Sequence, residues 1–351
     1  MSTAAAPAAP PAGFRWLVSP RYDLFFFIGS CGLTLAFYGL YCGAYHLGFF
    51  LQGDSILITY FVFTALFDHP HIFQTFSRTH YDRQEFARRR GLYTWGIAGF
   101  VAAGFAVAAL GYEAHLIVLA AVYGTWHIIR QHAGIMKAYK VLNHDLEPID
   151  NWLDGLTFYT GMLACLFNDY CDLRGPVVIY RDLQARFPSL PPHLGERLWD
   201  VFLVLLVLLG ARQTWRVMEG KPLNVPKLLL MAAALSTHYF VFFATATPFL
   251  VAEALETVYH DVQYQGWIMY YQRKRFPAVK GVVARWFVIA LLYGLAVGVI
   301  EVLGLMHRGY AAWLFVPFSM LVLFHYYVDG LVWRFRDYPE LRALLFGKPS
   351  V

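Results

Sequence analysis

Four hydrophobic stretches of this chain each carry histidines beside a carboxylate or an amide. They read Asp68-His69-Pro70-His71 with His80 and Asp82, His127 with Gln131 and His132, His260-Asp261 with Gln263, and His325 with Asp329. Ionisable side chains are costly inside a bilayer and normally face an internal site. Four such segments meeting would build a metal-binding pocket within a membrane.

Spacing along each segment refines this. His325 and Asp329 are four apart and share a helix face. Asp329 is then either a ligand or the group that orients its neighbour. Glu256 and His260 repeat the same spacing, on a stripe with Glu253, Gln263 and Trp267. His127 and His132 are five apart, about 140° round an ideal helix. Both ligate one site only if that helix is distorted, or if two metals are bound. Pro70, between His69 and His71, loosens its helix and is expected to turn both imidazoles inward.

The elements that position these residues are membrane spans. Of 351 residues, 58% are hydrophobic and 15% charged, against about 45–50% and about 25% in soluble domains. Mean hydropathy is +0.47. An all-α, polytopic bundle of about ten spans is expected, at 24–45, 56–77, 92–111, 115–137, 152–171, 198–211, 226–248, 249–272, 286–305 and 311–333. The connection 172–197 is the one long loop, with room for a short surface helix. An Ala/Pro-rich disordered tail is expected over 1–20, a single transmembrane domain over 21–340 and a C-terminal tail over 341–351. Cys31, Cys42, Cys165 and Cys171 show no C-x-x-C spacing, so no thiolate site is expected.

Charge sets the orientation. With both termini cytoplasmic, most of the 28 basic residues fall on the inner side, including Arg83, Arg88, Arg89, Arg90, Arg212, Lys227, Arg273, Lys274, Arg334 and Arg336. This matches the positive-inside rule, points to a bacterial-type inner membrane, and accounts for the +5 net charge without a nucleic-acid partner. The four histidine-bearing spans then all run from outside to inside. At 1.5 Å per residue, His69 and His325 lie roughly 12 Å from the cytoplasmic end, His127 about 15 Å and His260 about 18 Å. A shared depth is what a common centre requires. His238, alone in its span, is read as a packing residue.

Imidazole and carboxylate without thiolate suit non-haem iron, zinc or manganese. The expected ligands are His69, His71, His80, His127, His132, Glu256, His260, His325 and Asp329. So many exceed what one tetrahedral zinc needs, which favours one or two non-haem irons. Dioxygen partitions into lipid, and an aromatic-lined cavity admits a lipophilic substrate. Gln131, Gln263 and Tyr264 are expected to position oxygen or substrate.

This pattern resembles the histidine-cluster integral membrane oxygenases, which include the fatty-acid desaturases and hydroxylases. It is similar in style to the Brp/Blh-type carotene-cleaving proteins, whose ligands are scattered over several spans. The residues carrying the likeness are His69, His71, His80, His127, His132, His260 and His325. The likeness covers architecture and ligand chemistry. The boxes H-x-x-x-H and H-x-x-H-H do not occur, and neither does a Pro-His-Gly segment. It implies an oxygen-dependent oxidoreductase, a monooxygenase or dioxygenase of lipid metabolism, that desaturates, hydroxylates or cleaves a lipid or isoprenoid. A reductase donates electrons for the first two reactions. Two other readings remain at this point: an ion- or proton-coupled transporter with a His/Asp/Glu relay, and a haem-b electron carrier ligated by His127 and His260.

Overall fold

A computed structural model describes residues 13–307 and 310–347. Twelve helices lie among the described residues, joined by short turns and one hairpin. They are α1 (Pro20–His46), α2 (Ser55–Thr79), α3 (Arg83–Arg88), α4 (Leu92–Ala109), α5 (Glu113–Leu142) and α6 (Pro148–Asp169). The chain continues with α7 (Leu194–Met218), α8 (Val225–Ala244), α9 (Phe249–Arg275), α10 (Val282–Met306), α11 (Tyr310–Val332) and α12 (Pro339–Phe346). Each of the ten segments expected to span is helical. The sixth, expected over 198–211, runs further at both ends as α7.

Five helices, α1, α2, α4, α8 and α10, are long and apolar enough to cross a membrane. Among the rest, α5 and α9 carry several candidate site residues, and their polar side chains lower their apolarity. The clearest case is α9, which is buried almost continuously from Leu250 to Gln272. It faces protein rather than lipid, so its Glu256, His260, Asp261 and Gln263 need partners from neighbouring helices.

Local chemistry sets the helix starts. Asp54 caps α2 by accepting from the Ile56 and Leu57 amides at 3.1 Å each. Asp23 accepts from the Leu17 and Val18 amides at 2.6 and 3.0 Å and from the Tyr139 hydroxyl at 2.9 Å. Leu17 is buried, so the stretch from Leu17 to Ser19, expected to belong to the tail, is bound to the bundle. Of that tail, residues 1–12 lie outside the described residues. At the other end, Leu341 and Leu345 of α12 are buried, and the Leu345 carbonyl accepts from the Tyr270 hydroxyl at 2.7 Å. This part of the expected C-terminal tail is docked too.

Pro70 has no amide hydrogen, so the helix cannot keep its ordinary ladder around it. Immediately upstream, Thr64–Asp68 form a π-helical turn, a local widening common where helices carry function. Helix α10 packs tightly there. A Cβ on Gly294 would stand 2.5 Å from Pro70 Cδ, and one on Gly298 would stand 2.9 Å from Ala65 Cβ. Bare backbone at these two positions is what brings α10 against the widened turn.

The long connection carries strands, not a helix. Val177–Tyr180 (β1) pairs antiparallel with Leu183–Ala185 (β2), in register Val177 to Ala185 and Tyr180 to Leu183. The run Val177-Val178-Ile179-Tyr180 is β-branched and aromatic, which favours strand.

Two polar clusters tie helix ends together. At the first, where α5, α6, α7 and α8 meet, Lys227 lies 2.9 Å from both Asp145 and Asp154. Arg216 lies 2.9 Å from Asp150, Lys140 pairs with Asp154, and Arg216 pairs with Asp145. At the second, Arg275 binds Asp82 through two contacts of 2.9 Å. Arg78 is held between Asp82 and Glu85 at 3.3 Å each.

Candidate metal centre

Four imidazoles from four helices pack against one another: His71 from α2, His127 from α5, His260 from α9 and His325 from α11. Ring centroids are 5.1 Å apart for His71 and His260, 4.8 Å for His71 and His325, 5.0 Å for His127 and His260, and 5.1 Å for His127 and His325. All four pairs meet edge to face. The four residues are exposed by 1%, 8%, 1% and 2% in the same order. His71 Nε2 and His325 Nε2 are 3.1 Å apart. Metal–nitrogen bonds of about 2.0–2.1 Å put neighbouring donor nitrogens roughly 2.9–3.4 Å apart, so this separation suits two ligands of one ion.

Unmet hydrogen-bonding capacity points the same way. Both ring nitrogens of His260 and Nε2 of His127 are buried with no hydrogen-bond partner. Leaving buried polar groups unpaired costs about 1–3 kcal/mol each. A cation among the rings could take one nitrogen from each, and donor atoms of His71, His260 and His325 all lie within 4.8 Å of one another.

The far sides of two rings are held by oxygen. His325 Nδ1 lies 2.7 Å from the Thr75 hydroxyl, which lies 2.8 Å from Tyr264 Oη. Tyr264 and Thr75 both donate to Asp329 Oδ1, at 3.1 and 3.4 Å. His71 Nδ1 lies 2.9 Å from Asp261 and 3.6 Å from Asp68. A carboxylate behind an imidazole whose other nitrogen faces a metal raises ligand basicity and fixes the ring. Asp329 lies 3.8 Å from His325 Nδ1, and donor atoms of Asp329, His127 and His325 all lie within 4.8 Å of one another, so its place suits either a ligand or an orienting group. Tyr326 stacks on His127 at 4.8 Å, and only a glycine at 124 leaves room for its hydroxyl, which would be 2.9 Å from a Cβ there.

The remaining expected residues lie elsewhere. His80 is occupied at both nitrogens, by Thr79 Oγ1 at 2.8 Å and the Tyr93 carbonyl at 3.1 Å, and secures the α2–α4 connection. His69 turns away from His71 and pairs with Glu301 of α10 at 2.9 Å, so Pro70 does not bring both imidazoles inward. His132 stacks on Tyr259 at 5.0 Å and meets His238 edge-on at 5.7 Å. Helix α5 is undistorted, and its 140° turn splits His132 from His127. Glu256 accepts from Thr125 at 3.1 Å and faces His238 Nε2 at 3.4 Å. Gln131 donates to the His260 carbonyl at 3.0 Å and to Gln263 at 3.3 Å, while Gln263 donates to the Phe27 carbonyl at 2.8 Å. These two amides brace α1, α5 and α9 around His260.

Two residues escaped the sequence reading. Thr75 is four residues after His71 and shares its face, so the spacing rule could have found it. Glu301 is the lone carboxylate of the apolar helix α10, and an isolated acid in a span is itself a signal.

Comparison with protein-family models, with curated proteins and with solved structures finds no match for this chain.

Proposed function

We propose that this protein is a ten-span membrane enzyme of a bacterial-type inner membrane, with cytoplasmic termini, that holds non-haem iron among His71, His127, His260 and His325. In this reading it oxidises a lipophilic substrate with dioxygen, by desaturation, hydroxylation or oxidative cleavage. The observation that carries it is the meeting of four imidazoles from four separate helices, with buried ring nitrogens that have no other partner. Iron bound there would supply dioxygen activation. The chain's own residues fix the ligands: Thr75 behind His325 and Gln131 against the backbone of His260, with Asp329 and Asp261 beside the far nitrogens of His325 and His71. The aromatic rings of Tyr264 and Tyr326 exclude water beside them. The likeness to histidine-cluster membrane oxygenases supports the reaction class, and an electron donor is required only for desaturation or hydroxylation.

The packing weighs against the haem reading, because His127 and His260 lie 5.0 Å apart with His71 and His325 beside them, and a macrocycle has no slot between them. The test is metal analysis of the purified protein with an optical spectrum. Iron without a Soret band is expected, and His260→Ala or His325→Ala should lose it while still inserting in the membrane. His80→Ala and His132→Ala should keep it. Full metal in both His260→Ala and His325→Ala sinks the assignment.

A further inference from the structure

His71 serves two groups at once. Its Nε2 faces His325 and His260, while its Nδ1 faces Asp68 and Asp261, and the donor atoms within each of these two sets all lie within 4.8 Å of one another. One carboxylate behind an imidazole is explained by orientation. A second is not, because Nδ1 has a single hydrogen to give.

The alignment is also wrong for a hydrogen bond. Although His71 Nδ1 and Asp261 Oδ1 are 2.9 Å apart, that nitrogen and both Asp261 oxygens lack any hydrogen-bond partner. His71 is 1% exposed and Asp261 0%. Nearby, Glu301 Oε2 lies 2.9 Å from His69 Nε2, and these two atoms likewise lack a hydrogen-bond partner. Three carboxylates thus crowd a region between α2, α9 and α10 that holds two imidazoles, and a buried carboxylate stays charged only when it is paired or beside a cation.

We infer that a second divalent transition-metal ion binds between Asp68 and Asp261, ligated also by His71 Nδ1, so that the His71 ring bridges two ions. Two carboxylate oxygens and one imidazole suit manganese, iron or zinc, and copper binds such N/O sets more tightly still. Bridging requires His71 to give up its remaining ring proton to solvent when the second ion enters, as ligand deprotonation accompanies metal binding generally. The inference rests on the four-imidazole centre being a metal site.

The test uses the full-length protein in detergent, loaded with Cu(II) alone, with copper per chain and electron spin resonance as readouts. Wild type should bind two copper ions, with a spin signal well below twice that of one ion, because an imidazolate couples the two spins. Asp68→Asn, which keeps the side chain's shape, should bind one ion with a full single-ion signal, and Asp261→Asn should do the same. If Asp68→Asn does not fold, the wild-type stoichiometry and spin count decide alone. One ion per chain in wild type, two ions in Asp68→Asn, or two uncoupled spins overturns the bridge. If wild type binds one ion that His260→Ala removes, the bridge alone fails. If wild type binds none, the four-imidazole centre fails with it.

Discussion

Thr75 is a small residue with a large share of the site's order. Its hydroxyl meets His325 Nδ1, Tyr264 and Asp329, so it links α2 to α9 and α11 at the back of one ligand. Thr75→Val keeps the shape and removes the oxygen, leaving His325 free to rotate. Losing such a partner typically costs 10–100-fold in metal affinity, and a competition titration against a chelator should show a loss of about that size with the fold intact. The same scale shows what the sequence could not display. Depth is legible, since residue number converts to rise, and the depths of His127, His260 and His325 agreed. Azimuth is only half legible: the turn between His127 and His132 was computable, but which of the two would face the centre depended on neighbours. His69 and His80 failed for the same reason, as their partners Glu301 and Tyr93 lie on helices whose lateral order no spacing reveals.

Helix α2 departs from regular α geometry in one place. The π-turn ahead of Pro70 and the bare backbone of Gly294 and Gly298 form one joint, and the joint sets where His71 points. Gly294→Ala would press a methyl against Pro70 and the Ala65 carbonyl. Overpacking of this kind costs about 1–3 kcal/mol. Thermal unfolding in detergent should show a lower midpoint for Gly294→Ala, whereas Gly134→Ala, with nothing within 4 Å of its Cβ, should leave it unchanged or higher. Element existence was readable nearly throughout, because apolar run length is a strong signal. The hairpin was not, because four residues of strand propensity in a Pro- and Arg-rich loop carry little periodicity.

Across the whole molecule, the buried ion cluster binds four helix ends. Lys227 is fully buried between Asp145 and Asp154, and Lys227→Ala leaves those carboxylates short of a cation. Breaking a buried pair in this way costs about 3–5 kcal/mol, and loss of the folded, monodisperse peak on size-exclusion chromatography should report it. Burial opposes the charge on Asp145, yet Lys227, Arg216 and Lys140 outweigh it and hold the carboxyl at about 2. Its folded value lies below the ordinary carboxylate range of about 3.9. Its contribution is therefore complete above pH 4 or so and fades as pH falls toward 2. Unfolding followed over that interval should show the loss, and Asp145→Asn should flatten it. The proposed ten-span orientation has its own check. In a background without the four native cysteines, R174C should react with an impermeant maleimide added outside, and R336C only after the membrane is opened.

The four imidazoles come from α2, α5, α9 and α11, and 254 positions separate His71 from His325. No nascent fragment ending before His325 contains a complete centre. Under the proposed assignment, all four rings can share an ion only once α11 has packed against the other three helices, so the site is a product of tertiary assembly and of no single hairpin.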